Sequence, residues 1–348
     1  MARFTISPEY LRQTLTDLLN SPSPTGYTDW AMSLVETELA SIGVNCFRTN
    51  KGAVIAYLDG IESSAPRALS AHVDTLGAMV KEIKKSGRLK LTNLNGLDWN
   101  SVESEGCTIF TRSGRPIRGS LVLTNGAVHV NKEVATTARN GDTLEVRIDE
   151  RTTTDEETRL LGIEVGNFVA FDPRVEFSES GFVRSRFLDD KACVACLFAA
   201  LKALKDAGVS PAQRTHILFS NYEEVGHGGY AGLPDDLAEY VVLDMACVGD
   251  GLQGSEYHCS LCAKDSSGPY SLALGEKLQG IAEKAGIELV NDIYPYYGSD
   301  GSVYWRSGGQ AQVALIGPGV DTSHCYERTH MDALVDTATL VAEYLITQ

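Results

Sequence analysis

The feature that most constrains this fold is an interruption. From about Met79 to Phe171 helical periodicity disappears, and short β-type runs alternate with Gly, Asn and Asp turns. Residues 89–92, 107–112, 119–124 and 143–148 are the clearest of these runs. Their spacing predicts a small β-barrel-like module of roughly 90 residues. On both sides of it, helices and strands take turns. Ser7-Pro8-Glu9 is a helix start, with a capping Ser, Pro in the first turn and an early acid. Leu11, Leu15, Leu18 and Leu19 continue it with a 3.6-residue stripe, and a second helix pattern covers about 29–42. Strand patterns follow at 44–48, 53–58 and 67–71. After Phe171 come a helix at 190–207, strands at 216–221 and 240–245, a helix at 270–285 and a strand at 287–293. A short helix at 301–307, a strand at 312–316 and a helix at 332–346 complete the chain. Such alternation predicts an α/β domain, a mostly parallel sheet with helices on both faces. That domain is discontinuous, 1–77 with 172–348, and 78–171 is its insert.

With 348 residues, 43% hydrophobic, the chain can bury a sizeable core. Its net charge of −16 opposes binding to nucleic acid or an anionic membrane. No apolar run approaches the ~18 residues of a membrane span, and the N-terminus lacks the apolar core of a signal peptide. The expected location is the cytoplasm. There the eight cysteines should stay reduced. Cys193/Cys196 and Cys259/Cys262 form two C-x-x-C pairs, much further apart than the about 15–20 residues of a zinc ribbon. Plain buried thiols are expected.

Ligands of open α/β sheets bind beyond the carboxyl ends of the strands. His72 and Asp74, Glu223 and Glu224, Asp244, and His324 and His330 all follow predicted strands, while Asp189-Asp190 opens a helix. Singly, most have a bland reading: an acidic pair suits a helix N-terminus, and Glu-Glu before glycines is usually solvated. Asp244 is harder to dismiss, because a carboxylate in an apolar strand is costly without a partner or a cation. Jointly they suit two divalent metals. Zinc takes imidazole nitrogen and carboxylate oxygen, and two ions about 3.5–4 Å apart can activate water and stabilise a developing oxyanion. Of Glu223 and Glu224, one could bind metal and its neighbour act as general base.

In these stretches the chain resembles the dinuclear-metal aminopeptidases that assemble as tetrahedra, which include glutamyl and deblocking aminopeptidases and proteins once called cellulase M. The matching segments are Ser70-Ala71-His72-Val73-Asp74-Thr75-Leu76-Gly77, Phe187-Leu188-Asp189-Asp190-Lys191-Ala192, Tyr222-Glu223-Glu224-Val225-Gly226, Leu243-Asp244 and Gly298-Ser299-Asp300. Gly162-Ile163-Glu164-Val165-Gly166-Asn167 resembles the return from the family's insert. The resemblance implies a three-layer α/β/α, zinc-exopeptidase-like domain. It also implies that His72, Asp189 and Asp244 hold one metal, and Asp189, Glu224 and His324 the other. Asp74 would orient His72, Glu223 would be the general base, and Asp190 would set backbone geometry. Zinc or cobalt is implied, with manganese as an alternative. Peptide substrates and a dimer-based homo-oligomer, up to a dodecamer, follow in the same way, and the insert would contribute to dimerisation.

The chain departs from the family where a His is commonly followed by Ser-Pro and then Glu. Here His324-Cys325-Tyr326-Glu327 is the better match, with His330 as its rival. Asp190-Lys191-Ala192-Cys193 also replaces the commoner Arg and Gly. His129, His216 and His258 receive no role, while His227, just after the Glu pair, could touch substrate. A carboxypeptidase or deacylase of the same chemistry, or a metal-binding assembly protein without catalysis, are the alternatives.

Overall fold

Strands Gln213–Ser220, Glu62–His72, Glu239–Leu243 and Gln312–Asp321 are each buried over most of their length. They lie side by side in that order, all parallel. The computed structural model that shows this describes residues 3–348. Strands buried on both faces read as unbroken apolar runs, which is why they stood out. Successive residues point to opposite faces. Ala68, Leu218, Tyr240, Val242, Val313 and Leu315 share one apolar cluster with Tyr304, from the helix Asp300–Arg306. On the other face Phe219 stacks on Phe198, from the helix Leu188–Asp206, with ring centroids 5.1 Å apart.

That helix is buried along nearly all its length, with helices Pro8–Leu19 and Met331–Ile346 packed against it. This accounts for the first C-x-x-C pair. Cys193 and Cys196 are fully buried inside it, and burial pushes both thiols well up. Cys259 and Cys262 are buried on the strand Cys259–Asp265. None of the eight cysteines forms a disulfide. The first helix starts as its sequence predicts, with the Ser7 hydroxyl accepting the Tyr10 N–H at 3.2 Å.

The flanks of the sheet are antiparallel. Val54–Leu58 and Asn45–Arg48 extend one side, and Glu327–His330, Phe182–Ser185 and Glu176–Phe177 the other. Cys259–Asp265 runs antiparallel to Gln312–Asp321. Leu289–Ile293 then pairs with Cys259–Asp265 in parallel, so the sheet is mixed around its parallel centre.

Thr75–Pro173 forms its own compact unit; the chain up to Asp74 and Arg174–Gln348 form the other. Six antiparallel strands close the smaller unit into a barrel, in the order Ala78–Ile83, Leu89–Asn93, Leu144–Ile148, Pro116–Leu123, Gly106–Phe110 and Phe168–Phe171. Val80, Leu91, Ile109, Leu121, Val146 and Val169 are buried in it. Among the described residues no helix is long and apolar enough to cross a membrane.

Candidate metal centre

Each chemistry-bearing residue sits where a strand gives way to a loop. His72 is the last residue of Glu62–His72, and Asp244 lies just beyond Glu239–Leu243. The Asp244 N–H donates to the Ile316 carbonyl at 3.1 Å. Glycine is required opposite: a Cβ on Gly317 would stand 1.9 Å from the Asp244 carbonyl oxygen. Glu223 and Glu224 occupy one 3₁₀ turn, Glu223–Val225, closed by Gly226 at φ +76°. Asp189 and Asp190 precede the regular part of their helix. Their backbone angles are non-helical, the peptide between them is cis, and Phe187 before them has φ +70°.

These loops bring the side chains together. The His72 Nδ1 lies 2.9 Å from the Asp74 carbonyl oxygen, which marks Nδ1 as the protonated nitrogen. Its Nε2 lies 3.1 Å from Asp189 Oδ1 and 3.8 Å from Glu223 Oε2. His324 reaches Asp189 Oδ2 at 3.5 Å and Glu224 Oε2 at 3.7 Å from the opposite side. Ligand atoms of His72, Asp189 and Glu224 come within 4.8 Å of one another. So do those of His72, Asp190 and Asp244. Asp190 thus stands beside His72 and Asp244, a place near the metal ligands that the sequence did not assign to it. One Asp190 oxygen also accepts the His72 N–H at 3.1 Å, so it does support backbone geometry. Asp74 orients His72 through its carbonyl; its carboxylate is 3.7 Å from Nδ1. That carboxylate instead accepts the N–H groups of Glu223 and Glu224, at 3.1 and 3.4 Å, and the Thr25 hydroxyl at 2.7 Å.

His330 does not join the cluster. Its Nδ1 accepts the Asp332 N–H at 3.1 Å, and its Nε2 is 2.8 Å from the Ser180 carbonyl. It caps the last helix and packs edge-on against Phe182. His227 stacks on Tyr222 with centroids 5.0 Å apart, and its Nδ1 accepts from Lys51 at 2.9 Å. His216 lies on Gln213–Ser220 against Tyr57.

Two acids had no assigned role in the sequence. Glu327 accepts the N–H groups of both Asp189 and His324, each at 3.1 Å. Asp300 accepts the Ser220 hydroxyl at 2.5 Å and the Gly229 N–H at 2.7 Å. The sequence signals were Glu327 three residues after His324, and Asp300 within a matching segment.

The electrostatics call for positive charge. Asp74, Asp189, Asp190, Asp244, Glu327 and Asp300 are buried, with Glu223 and Glu224 beside them. Among the described residues, Asp74, Asp189, Glu223 and Glu224 form ion pairs with His72 and His324. Burial and neighbouring carboxylates push Glu223 and Glu224 well up, and Asp244 and Glu327 to about 8. Burial works against His72 and His324, yet hydrogen bonds to Asp189 win: His72 rises well above its ordinary value and His324 to about 10. Burial also opposes ionisation of Asp189, but the two imidazoles hold it well below the usual range.

The donors fit divalent ions on two further counts. With Nδ1 held by the Asp74 carbonyl, His72 presents Nε2 to Asp189, and a cation between them would take the place of the Nε2 proton. Glu224 Oε1 and Asp190 Oδ1 are buried without any hydrogen-bond partner. Such atoms are costly unless something satisfies them.

A cavity of about 380 Å³ opens on the cluster, lined also by Met245, Tyr296, Tyr297, Val303 and Arg306. A slightly larger one, about 420 Å³, lies along the helix Leu272–Ala285 and contains none of the clustered residues. The first is the better candidate because chemistry and space coincide there.

Comparison with known proteins agrees with this geometry. The family profile described as M42 glutamyl aminopeptidase matches residues 52–340. YhfE of Bacillus subtilis strain 168, which carries a provisional aminopeptidase designation, is 45% identical over 333 residues, covering 96% of each chain. Among solved structures, a TET aminopeptidase from a marine-sediment thaumarchaeote superposes with a TM-score of 0.87 at 18% identity, covering 97% of this chain and 96% of that one. Pyrococcus horikoshii TET1 peptidase, described as able to form a tetrahedron or a large octahedral shell, gives 0.83 at 20% identity, covering 97% and 100%. These last two bear on the fold alone.

Proposed function

The chain belongs to the M42 glutamyl aminopeptidase family, and from that premise we propose that it removes N-terminal residues from peptides with two divalent ions. The observation that carries this reading is the approach of His72 and His324 to Asp189, at 3.1 and 3.5 Å, amid a cluster of buried acids. His72, Asp189 and Asp244 would hold one ion, and Asp189, Glu224 and His324 the other; Asp190 lies close enough to share the first. Zinc or cobalt suits the mixed imidazole and carboxylate donors, and manganese is the alternative. Bound there, such ions supply Lewis acidity toward a carbonyl and an acidified water.

The remaining work falls to the chain's own side chains. Glu223 faces the cavity with its backbone held by Asp74. Its carboxylate takes a proton from the attacking water and passes it to the departing amine. Burial raises Glu223, which suits a group that must both accept and return a proton near neutral pH. The protein acts in the cytoplasm and self-associates, the second in keeping with Pyrococcus horikoshii TET1 peptidase, which can assemble into a tetrahedron or a large octahedral shell.

The test is a panel of aminoacyl reporters, run after chelation and again with zinc, cobalt or manganese restored. Free-amine substrates should be cleaved only in the metal-restored arms. Cleavage of N-acylated peptides in preference to free-amine ones would overturn the aminopeptidase reading. Mass measurement in solution tests self-association, and a monomer would end that part.

A further inference from the structure

Among the proposed ligands, His324 is carried by a turn and not by the end of a strand. His72 ends a strand, and Asp244 hydrogen-bonds into the sheet directly after one. His324 lies in the turn between Gln312–Asp321 and Glu327–His330. Its side chain is 40% exposed, and both it and Thr322 have positive φ, +67° and +54°. Few non-glycine residues adopt that conformation unless the surroundings impose it. Glu327 supplies such a restraint from a rigid position. It is 2% exposed, and its backbone pairs with Ser185 in the sheet. Its Oε1 accepts the His324 N–H, and its Oε2 accepts the Asp189 N–H.

Resting on the two-metal reading above, we propose that Glu327 is a positioning residue for one ion only. It holds His324 against Asp189 and thereby sets the affinity of the site formed by Asp189, Glu224 and His324. The site formed by His72, Asp189 and Asp244 meets Glu327 only through the Asp189 N–H, so it depends on it far less. His72 has its own restraints from Asp190 and the Asp74 carbonyl, and Asp244 from the Ile316 carbonyl. Two N–H groups, one on each oxygen, need a carboxylate. A glutamine of the same shape offers one acceptor and turns an NH₂ toward the other N–H.

Glu327→Gln tests this by Co(II) titration of metal-stripped protein, followed by absorption spectroscopy and by metal content after dialysis. The wild type should bind two ions. The variant should keep one at wild-type affinity and bind the second about 10- to 100-fold more weakly, the range for groups that orient a ligand. Excess metal should restore the two-ion spectrum, which a misfolded variant would not allow. Two ions at unchanged affinity, or equal weakening of both, would overturn the proposal. If Glu327→Gln does not fold, Glu327→Asp decides. It keeps the charge but falls one methylene short of spanning both N–H groups, so the same selective loss is expected, and unchanged binding of both ions refutes the role. A wild type that binds fewer than two ions fails the two-metal reading itself, a result distinct from either.

Discussion

Glu145 in the barrel and Glu224 in the larger unit are both well-sequestered carboxylates, with side chains 6% and 5% exposed, but they keep different company. Glu145 receives Lys84 at 2.8 Å and Arg88 at 2.5 Å, one base on each oxygen. Elsewhere in the barrel Arg118 grips Asp172 through two hydrogen bonds, and Arg139 does the same to Glu103. Glu224 has a half-exposed imidazole 3.7 Å from one oxygen and nothing on the other. In the barrel, covalent cations neutralise the acids, so the charges are part of the architecture. Around Glu224 the neutralising charge must come from solution, although elsewhere in the larger unit a base meets an acid, as Arg67 meets Glu239 at 3.1 Å. An acidic chain can thus contain two kinds of acid, and the presence of a fixed base separates them.

Asp189→Ala tests that contrast most severely. Removing the one acid that meets both histidines should take metal content from two ions per chain to none and activity to background. Elemental analysis checks it, and two retained ions would end the bridging role. Glu223→Gln should keep both ions and the fold while kcat falls by about 10²- to 10⁴-fold, the usual worth of a general base. Steady-state kinetics on metal-loaded protein decides this; normal turnover would remove Glu223 as base. Restoring metal to stripped protein should raise the unfolding free energy by about 2.7 kcal/mol at a hundredfold excess over Kd, measured by urea titration. No change would mean that the acids are not a cation site. The smallest effect should come from the barrel. Glu145→Gln leaves Lys84 and Arg88 partly exposed and able to rehydrate, so about 1–2 kcal/mol of stability should be lost, with metal content unchanged. A loss of bound metal in that variant would blur the distinction between the two kinds of acid.

Much of the architecture was legible because it rests on periodicity. The parallel strands are apolar on both faces, the barrel strands alternate, and Ser7-Pro8 announces its helix. The short strands Glu176–Phe177, Phe182–Ser185 and Glu327–His330 were not legible. Glu327-Arg328-Thr329-His330 carries no apolar pattern, and its strand character comes from pairing with Phe182–Ser185. The same gap hid the choice between His324 and His330. The strand ending at Asp321, not Ile316, and the turn behind it carry His324 toward Asp189 and leave His330 as a helix cap. Side chains at the site were legible by type and order, because carboxyl strand ends collect ligands whatever the details. Backbone hydrogen bonds to Asp74, Asp190 and Glu327 were not, since they join residues more than a hundred positions apart in four of five cases and depend on loop geometry that no local pattern encodes.

Gly317 bears on how this protein can be altered. Position 317 carries no side chain and would pass in a library design for an inert strand residue. Because its α-carbon abuts the Asp244 carbonyl, every other amino acid there displaces that acid. A saturation screen scored by metal uptake should therefore return 317 as intolerant alongside the acids and histidines. Grafting this site onto another scaffold would have to carry the glycine with it.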